Sequence, residues 1–183
     1  MATGDPDEVR AVRALAHPLR LELLDMLRFD GPSTATLLAR RTGESSGATS
    51  YHLRQLARYG YVEEAPAAGG RERWWRYRER RLVTAGGDAG ANSLRTLLSE
   101  LLTREAHALD RFLAERTRPS EWDDAAFFQS RALRLTAAEL DELRSGIETL
   151  LARFRLADAG DAPAAAVPVR VLTFGFPLSR ETP

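Results

Sequence analysis

The chain has 183 residues, enough for one medium domain or two small ones around a real core. A hydrophobic fraction of 44% and a charged fraction of 28% are those of a soluble globular protein, the lack of cysteine excludes a disulfide scaffold and any thiolate metal site, and no apolar run approaches the ~18 residues of a membrane span. The net charge is zero but unevenly laid out: residues 40–81 hold ten Arg against five Glu, and every basic residue of the chain is Arg. The opening MATGDPDEVR has no signal-peptide pattern, so a cytoplasmic location is expected.

Residues 7–29 read as helix, with Val12, Leu15, Leu19, Leu23, Leu24 and Leu27 at three- and four-residue steps. His17-Pro18 divides it in two, because Pro suits a first turn and breaks a helix interior. Asp30-Gly31-Pro32 is a stop. Ser33 is placed to cap a short helix over 34–42 with Leu37 and Leu38 on its inner face, and Gly43 ends it. Ser45 or Ser46 caps a third helix that runs to Tyr59 and stops at Gly60. The period then changes. Tyr61-Val62 is strand-like, 65-APAAGG-70 is a flexible turn, and Arg71–Arg78 returns as a strand with Trp74, Trp75 and Tyr77, a hairpin with one Trp facing the core.

Residues 84–92, TAGGDAGAN, have the composition of a linker. A long helix over 93–117 follows, whose broad leucine face (Leu94 to Leu113) suits a core or a dimer interface. Residues 125–135 are ambiguous but end in a strand-like Leu133-Arg134-Leu135, and Trp122, Phe127 and Phe128 are expected to fill a core, with the wall of an effector pocket as the alternative. Thr136 and Glu139 have capping-box spacing for a helix over 137–156. Val167–Phe176 alternates as a strand, and it would pair with 125–135. The expectation is therefore a mainly α fold with a small β component (α+β): helix, helix, helix and hairpin at the N-terminus, then a C-terminal helical region with a short two-stranded β element. The domains would be 1–83, a linker at 84–92, and 93–183 for dimerisation or effector sensing.

The helix at 46–59 has two faces. Thr49, Leu53 and Leu56 belong to the core. Ser46, Gly47, Ser50, Tyr51 and Arg54 lie opposite, with Arg58 one turn on. Small residues at a helix N-terminus permit close approach to another surface. Backbone N–H groups and the hydroxyls of Ser45, Ser46, Ser50 and Tyr51 can donate to phosphate oxygens, and Arg54 can reach a base edge or a phosphate. Arg71 and Arg73 flank the Gly-rich hairpin tip and would lie along a DNA backbone or minor groove.

The segments 17-HPLRLELLDML-27 and 43-GESSGATSYHLRQLARYGYVEE-64, followed by the Arg/Trp hairpin, resemble the winged helix-turn-helix of the ArsR-like bacterial transcription regulators. The matching positions are His17, Pro18, Arg20, Leu23, Leu24 and Leu27, then Ser50, His52, Leu53, Leu56, Gly60 and Val62, within residues 8–80. The resemblance implies a homodimeric repressor on a palindromic, double-stranded DNA operator, one recognition helix per half-site. The chain departs from the metal-sensing members of that family. It has no Cys, and His17, His52 and His107 stand in separate elements without ligand spacing, so no metal and no cofactor are expected. His17 and His52 have structural positions. About a hundred residues follow the hairpin, room for a small-molecule effector. The sequence contains no phosphate-binding loop, nucleophile elbow or paired-carboxylate spacing, so no enzyme is expected. A winged helix used only for protein assembly is the alternative, and the near-neutral pI of 6.9 leaves it open.

Overall fold

The computed structural model describes residues 5–66, 72–80, 87–115, 121–154, 163 and 165–178. Helix α1 (Pro6–Leu15) starts on the Asp5 side chain, which accepts from the Asp7 amide, and helix α2 (Pro18–Phe29) has Pro18 in its first turn. The break between them falls at His17, whose extended backbone is what the residue before a proline adopts.

Strand β1 (Ser33–Thr34) and helix α3 (Ala35–Thr42) come next. The helix cap is Thr34, accepting from the Leu37 amide at 3.3 Å, and not Ser33. Ser33 is drawn into the sheet instead. Leu38 is fully buried and Ala39 beside it is buried, while Leu37 is exposed: the inner face of α3 is centred on the 38–39 side, and Leu37, about 100° back, falls outside it. Gly43, at φ +73°, supplies the left-handed turn from α3 into helix α4 (Ser46–Arg58). Gly60, at φ +74°, does the same between α4 and the sheet.

Strands β2 (Val62–Ala65) and β3 (Trp74–Tyr77) form the hairpin, and β1 adds to its far side in the order β1-β3-β2, all antiparallel. Ser33 lies opposite Trp75, which in turn lies opposite Glu64. Trp75 is buried at the centre of the sheet and Trp74 is half-buried.

Helix α5 (Gly87–Glu115) begins inside the expected 84–92 linker and packs on α1. Leu97 is fully buried in the same core as Leu23, Leu38, Leu53 and Leu56, and Arg104 pairs with Asp25 of α2. The first compact unit accordingly extends through residue 119 and includes α5. The Tyr61 hydroxyl donates to the buried Ala11 carbonyl at 3.0 Å, closing α1 over the sheet.

The second unit, 120–183, holds helix α6 (Trp122–Ala125) and helix α7 (Ala137–Ala152). The expected capping box is present: the Thr136 hydroxyl accepts from the Glu139 amide while the Glu139 carboxylate accepts from the Thr136 amide. The expected two-stranded element is absent among the described residues. Segments 126–135 and 166–178 carry no strand ladder, and Phe127, Phe128, Val169 and Phe176 are exposed where a core was expected. Alternation makes a strand only where another strand supplies hydrogen-bond partners. The second segment runs close to the start of α7, where a Cβ at Gly175 would come within 2.9 Å of Leu140 Cδ1.

Candidate nucleic-acid interface

Helix α4 is held from behind. Thr49, Leu53 and Leu56 are fully buried and fix its rotation. The opposite side is open: Ser45, Ser46, Gly47, Tyr51, Arg54 and Arg58 are exposed and Ser50 is half-buried. All the face residues expected on α4 are therefore together on one surface. Ser45 caps the helix, accepting from the Ala48 amide at 3.1 Å. Its oxygen accepts from the helix and its O–H is left to donate outward, while other amides of the first turn have no intrahelical acceptor. A Cβ at Gly47 would meet only Ser45 Oγ at 3.9 Å, so the protein's own packing does not demand a glycine there.

Arg54 Nε donates to the Ser50 carbonyl at 3.1 Å, which lays the guanidinium along the outer face. Arg58 lies over the neighbouring Tyr59 ring, 5.7 Å from its centroid. Among the described residues no carboxylate is paired with either arginine.

The wing is different. Arg73 pairs with Glu64 at 3.0 Å and Arg76 with Glu63 at 2.6 Å, with Arg78 at 3.9 Å from the second Glu63 oxygen. Glu72 accepts from the Thr36 hydroxyl at 2.7 Å, tying the hairpin to α3. Much of the positive charge counted along the sequence is therefore neutralised across the hairpin, an effect that cross-strand register alone decides. Arg80 donates to the Tyr59 carbonyl, pairs with Glu8 at 2.7 Å and lies over the Tyr61 ring, so it fastens α1, α4 and the sheet together. Arg73 is exposed at the described edge of the tip; Arg71 lies outside the described residues.

The fold also brings together residues that the sequence leaves apart. The rings of His17 and His52 are 4.5 Å apart at 45°, and the Tyr51 ring meets His52 edge-on at 5.3 Å. Nδ1 of each histidine and Nε of Arg20 are buried with no hydrogen-bond partner among the described residues. Burial pushes both imidazoles below their ordinary pKa; Arg20 adds to this at His17, and His17 and Arg20 add to it at His52. No local sequence signal points to this pair, because its members are brought together only by the packing of α2 on α4. Among the described residues no group of three or more His, Asp or Glu is placed to hold a metal ion, and no helix is long and apolar enough to cross a membrane.

Residues 15–65 match the family model of a helix-turn-helix domain. Among solved structures the chain is similar to a mutant of ZitR from Lactococcus lactis in apo form, at 16% identity over 76% of this chain and 83% of that one, with a TM-score of 0.36. It is similar to RV1404 from Mycobacterium tuberculosis at 18% identity over 86% of each chain, with a TM-score of 0.35. A search of curated protein sequences finds no match.

Proposed function

We propose that this chain, whose residues 15–65 are a helix-turn-helix domain of the ArsR-like winged kind, is a DNA-binding transcription regulator that acts as a dimeric repressor in the cytoplasm. The observation that carries the proposal is the outer face of α4. It is small and polar at its N-terminal end, basic further along, and exposed apart from the half-buried Ser50, while its inner face is locked into the core. A helix N-terminus with Ser46 and an unneeded glycine at position 47 lets backbone amides approach a phosphate. Ser50 and Tyr51 offer hydroxyls, and Arg54 and Arg58 offer guanidinium groups without competing carboxylates. Arg54 reads a base edge and Arg58 a phosphate. Arg71 and Arg73 follow the DNA backbone from the wing.

The finer features rest on this interface. A palindromic operator takes one α4 in each major-groove half-site, centres about 34–36 Å apart. Exposed Leu102, Leu109 and Leu113 on α5 favour the homodimer that such spacing requires. The unit 120–183 adds to dimerisation or senses a small-molecule effector. Fluorescence anisotropy with the chain's own upstream DNA tests the proposal. Binding that beats random duplex by about a thousandfold or more at physiological salt supports it, and equal binding to both overturns it.

A second function, protein assembly without specific DNA binding, has one observation in its favour: the wing arginines are paired with Glu63 and Glu64. Salt dependence separates the two. A phosphate-contacting dimer loses affinity steeply between about 50 and 200 mM salt, whereas a protein-binding wing has no DNA affinity to lose.

A further inference from the structure

The His17–His52 contact lies outside the α4 face assigned to DNA. Around the helix, His52 is on the side that turns toward α2, next to Thr49 and Leu56, while its sequence neighbour Tyr51 is on the exposed side. The two histidines come from the start of α2 and the middle of α4, so their contact is part of the seat on which the recognition helix rests.

The charged and titratable groups facing this contact come from every surrounding element. Arg20 approaches from α2, with Tyr51 and Tyr59 of the α4 segment beside it. Glu44 faces it from the α3–α4 turn, and Glu100 faces His17 from α5. The two carboxylates favour protonated imidazole, whereas burial opposes it most, joined by Arg20 at His17 and by the His17 ring and Arg20 at His52. Opposition prevails at both histidines. A neutral pair is stable in this setting because two uncharged rings pack against each other, centroids 4.5 Å apart and planes tilted by 45°. A cationic ring would meet a half-buried guanidinium and a buried Nδ1 with no protein acceptor for its proton.

We propose that His17 and His52 form a proton-linked joint: neutral, they hold the recognition helix seated on α2, and proton uptake by the pair loosens the seat and weakens DNA binding. The histidines are positioning residues; Tyr51, edge-on to His52, is the member of the DNA face that moves with the joint. The DNA-binding half of this proposal rests on the function proposed above; the stability half does not.

The sign follows from the direction of the shifts. Both histidines have folded-state pKa values below the ordinary 6.5, so the folded state prefers the neutral form. Their contribution to stability is complete above about pH 6.5 and is lost as pH falls from there toward the folded-state values. In that window one such histidine changes the folding constant by up to ~tenfold per pH unit, and the pair titrates as a unit.

The test compares wild type with His17→Gln, His52→Gln and the double variant. His107→Gln is the control, since His107 is exposed on α5. Urea midpoints and duplex-DNA affinity are measured between about pH 7.5 and about pH 5.5, either side of the ordinary imidazole value. Expected is a falling midpoint and a several-fold loss of DNA affinity at the acid end for wild type and His107→Gln, with both dependences flattened in the double variant. An identical pH profile for wild type and the double variant overturns the proposal. Should the double variant not fold, imidazole titration by NMR in the wild type decides: His17 and His52 titrating below His107 supports the joint, and titrating with it overturns it. If no DNA binds at any pH while the stability profile behaves as expected, the joint stands as an acid-sensitive seat and the DNA-binding function falls.

Discussion

Replacing Arg54 by alanine separates recognition from folding. The side chain is exposed, and its hydrogen bond among the described residues runs from Nε to a carbonyl of its own helix. Surface substitutions of this kind shift stability by no more than about 0.5 kcal/mol, and alanine is at least as good a helix former as arginine. The loss in DNA affinity is larger. A guanidinium bidentate to a guanine edge is worth about 1–3 kcal/mol, which is roughly 5- to 150-fold in Kd. Urea unfolding measures the first quantity, and fluorescence anisotropy on the operator at fixed salt measures the second. Arg54→Lys adds resolution, because lysine keeps the charge but not the planar fork. Full recovery with lysine and a salt slope lowered by about one in Arg54→Ala identify a phosphate contact, whereas failed rescue and relaxed base preference identify a base contact. Unchanged affinity in Arg54→Ala refutes Arg54 as a DNA contact, and an unfolded Arg54→Ala refutes the claim that the residue is dispensable to the core.

Three further outcomes are expected. Leu53→Ala, at a fully buried position, lowers unfolding stability by about 2–5 kcal/mol in urea titration, and DNA affinity falls with it because α4 loses its seat. Burial pushes the Tyr61 phenol up from 10.0 to about 12. The folded state thus favours the neutral phenol, and stability is complete below about pH 10 and declines as pH rises toward 12, a decline that Tyr61→Phe reduces in alkaline unfolding curves. A double-mutant cycle on Glu8→Ala and Arg80→Ala gives a coupling of about 1 kcal/mol in urea unfolding; additive single effects deny that the pair fastens α1 to the sheet.

The helix-turn-helix was legible because its signals are local. Pro18, the Gly43 and Gly60 stops, the leucine steps and the Thr136/Glu139 box each act within a turn or two of chain, and each has its structural counterpart. The α4 face was legible for the same reason, since 3.6-residue periodicity assigns sides without tertiary information. What escaped depends on residues distant in sequence. Ser33 looks like a cap until Trp75 pairs with it. The wing arginines look like free charge until register sets Glu63 and Glu64 beside them. His17 and His52 look like isolated packing residues until α2 crosses α4. In the C-terminal unit, Val167 to Phe176 has the alternation of a strand without the ladder, because pattern states which sides are apolar and not what lies across the edge.

The strand order β1-β3-β2 has a consequence for how the molecule is made. Its middle strand is the last to be synthesised, and the first strand must wait for it across some forty residues of chain. Trp75 therefore closes the sheet late, and Leu97 closes the core later still. The stretch that carries the helix-turn-helix signature ends at residue 65, short of both. A chain emerging from the ribosome shows that signature before it owns the part of the core that Trp75 and Leu97 supply. During that interval the apolar sides of α2 and α4 have each other, α1 and α3, and lack the sheet and α5. The burden of contact order in this small domain thus falls on a hairpin strand of four residues, and the sheet is complete only once that strand has docked.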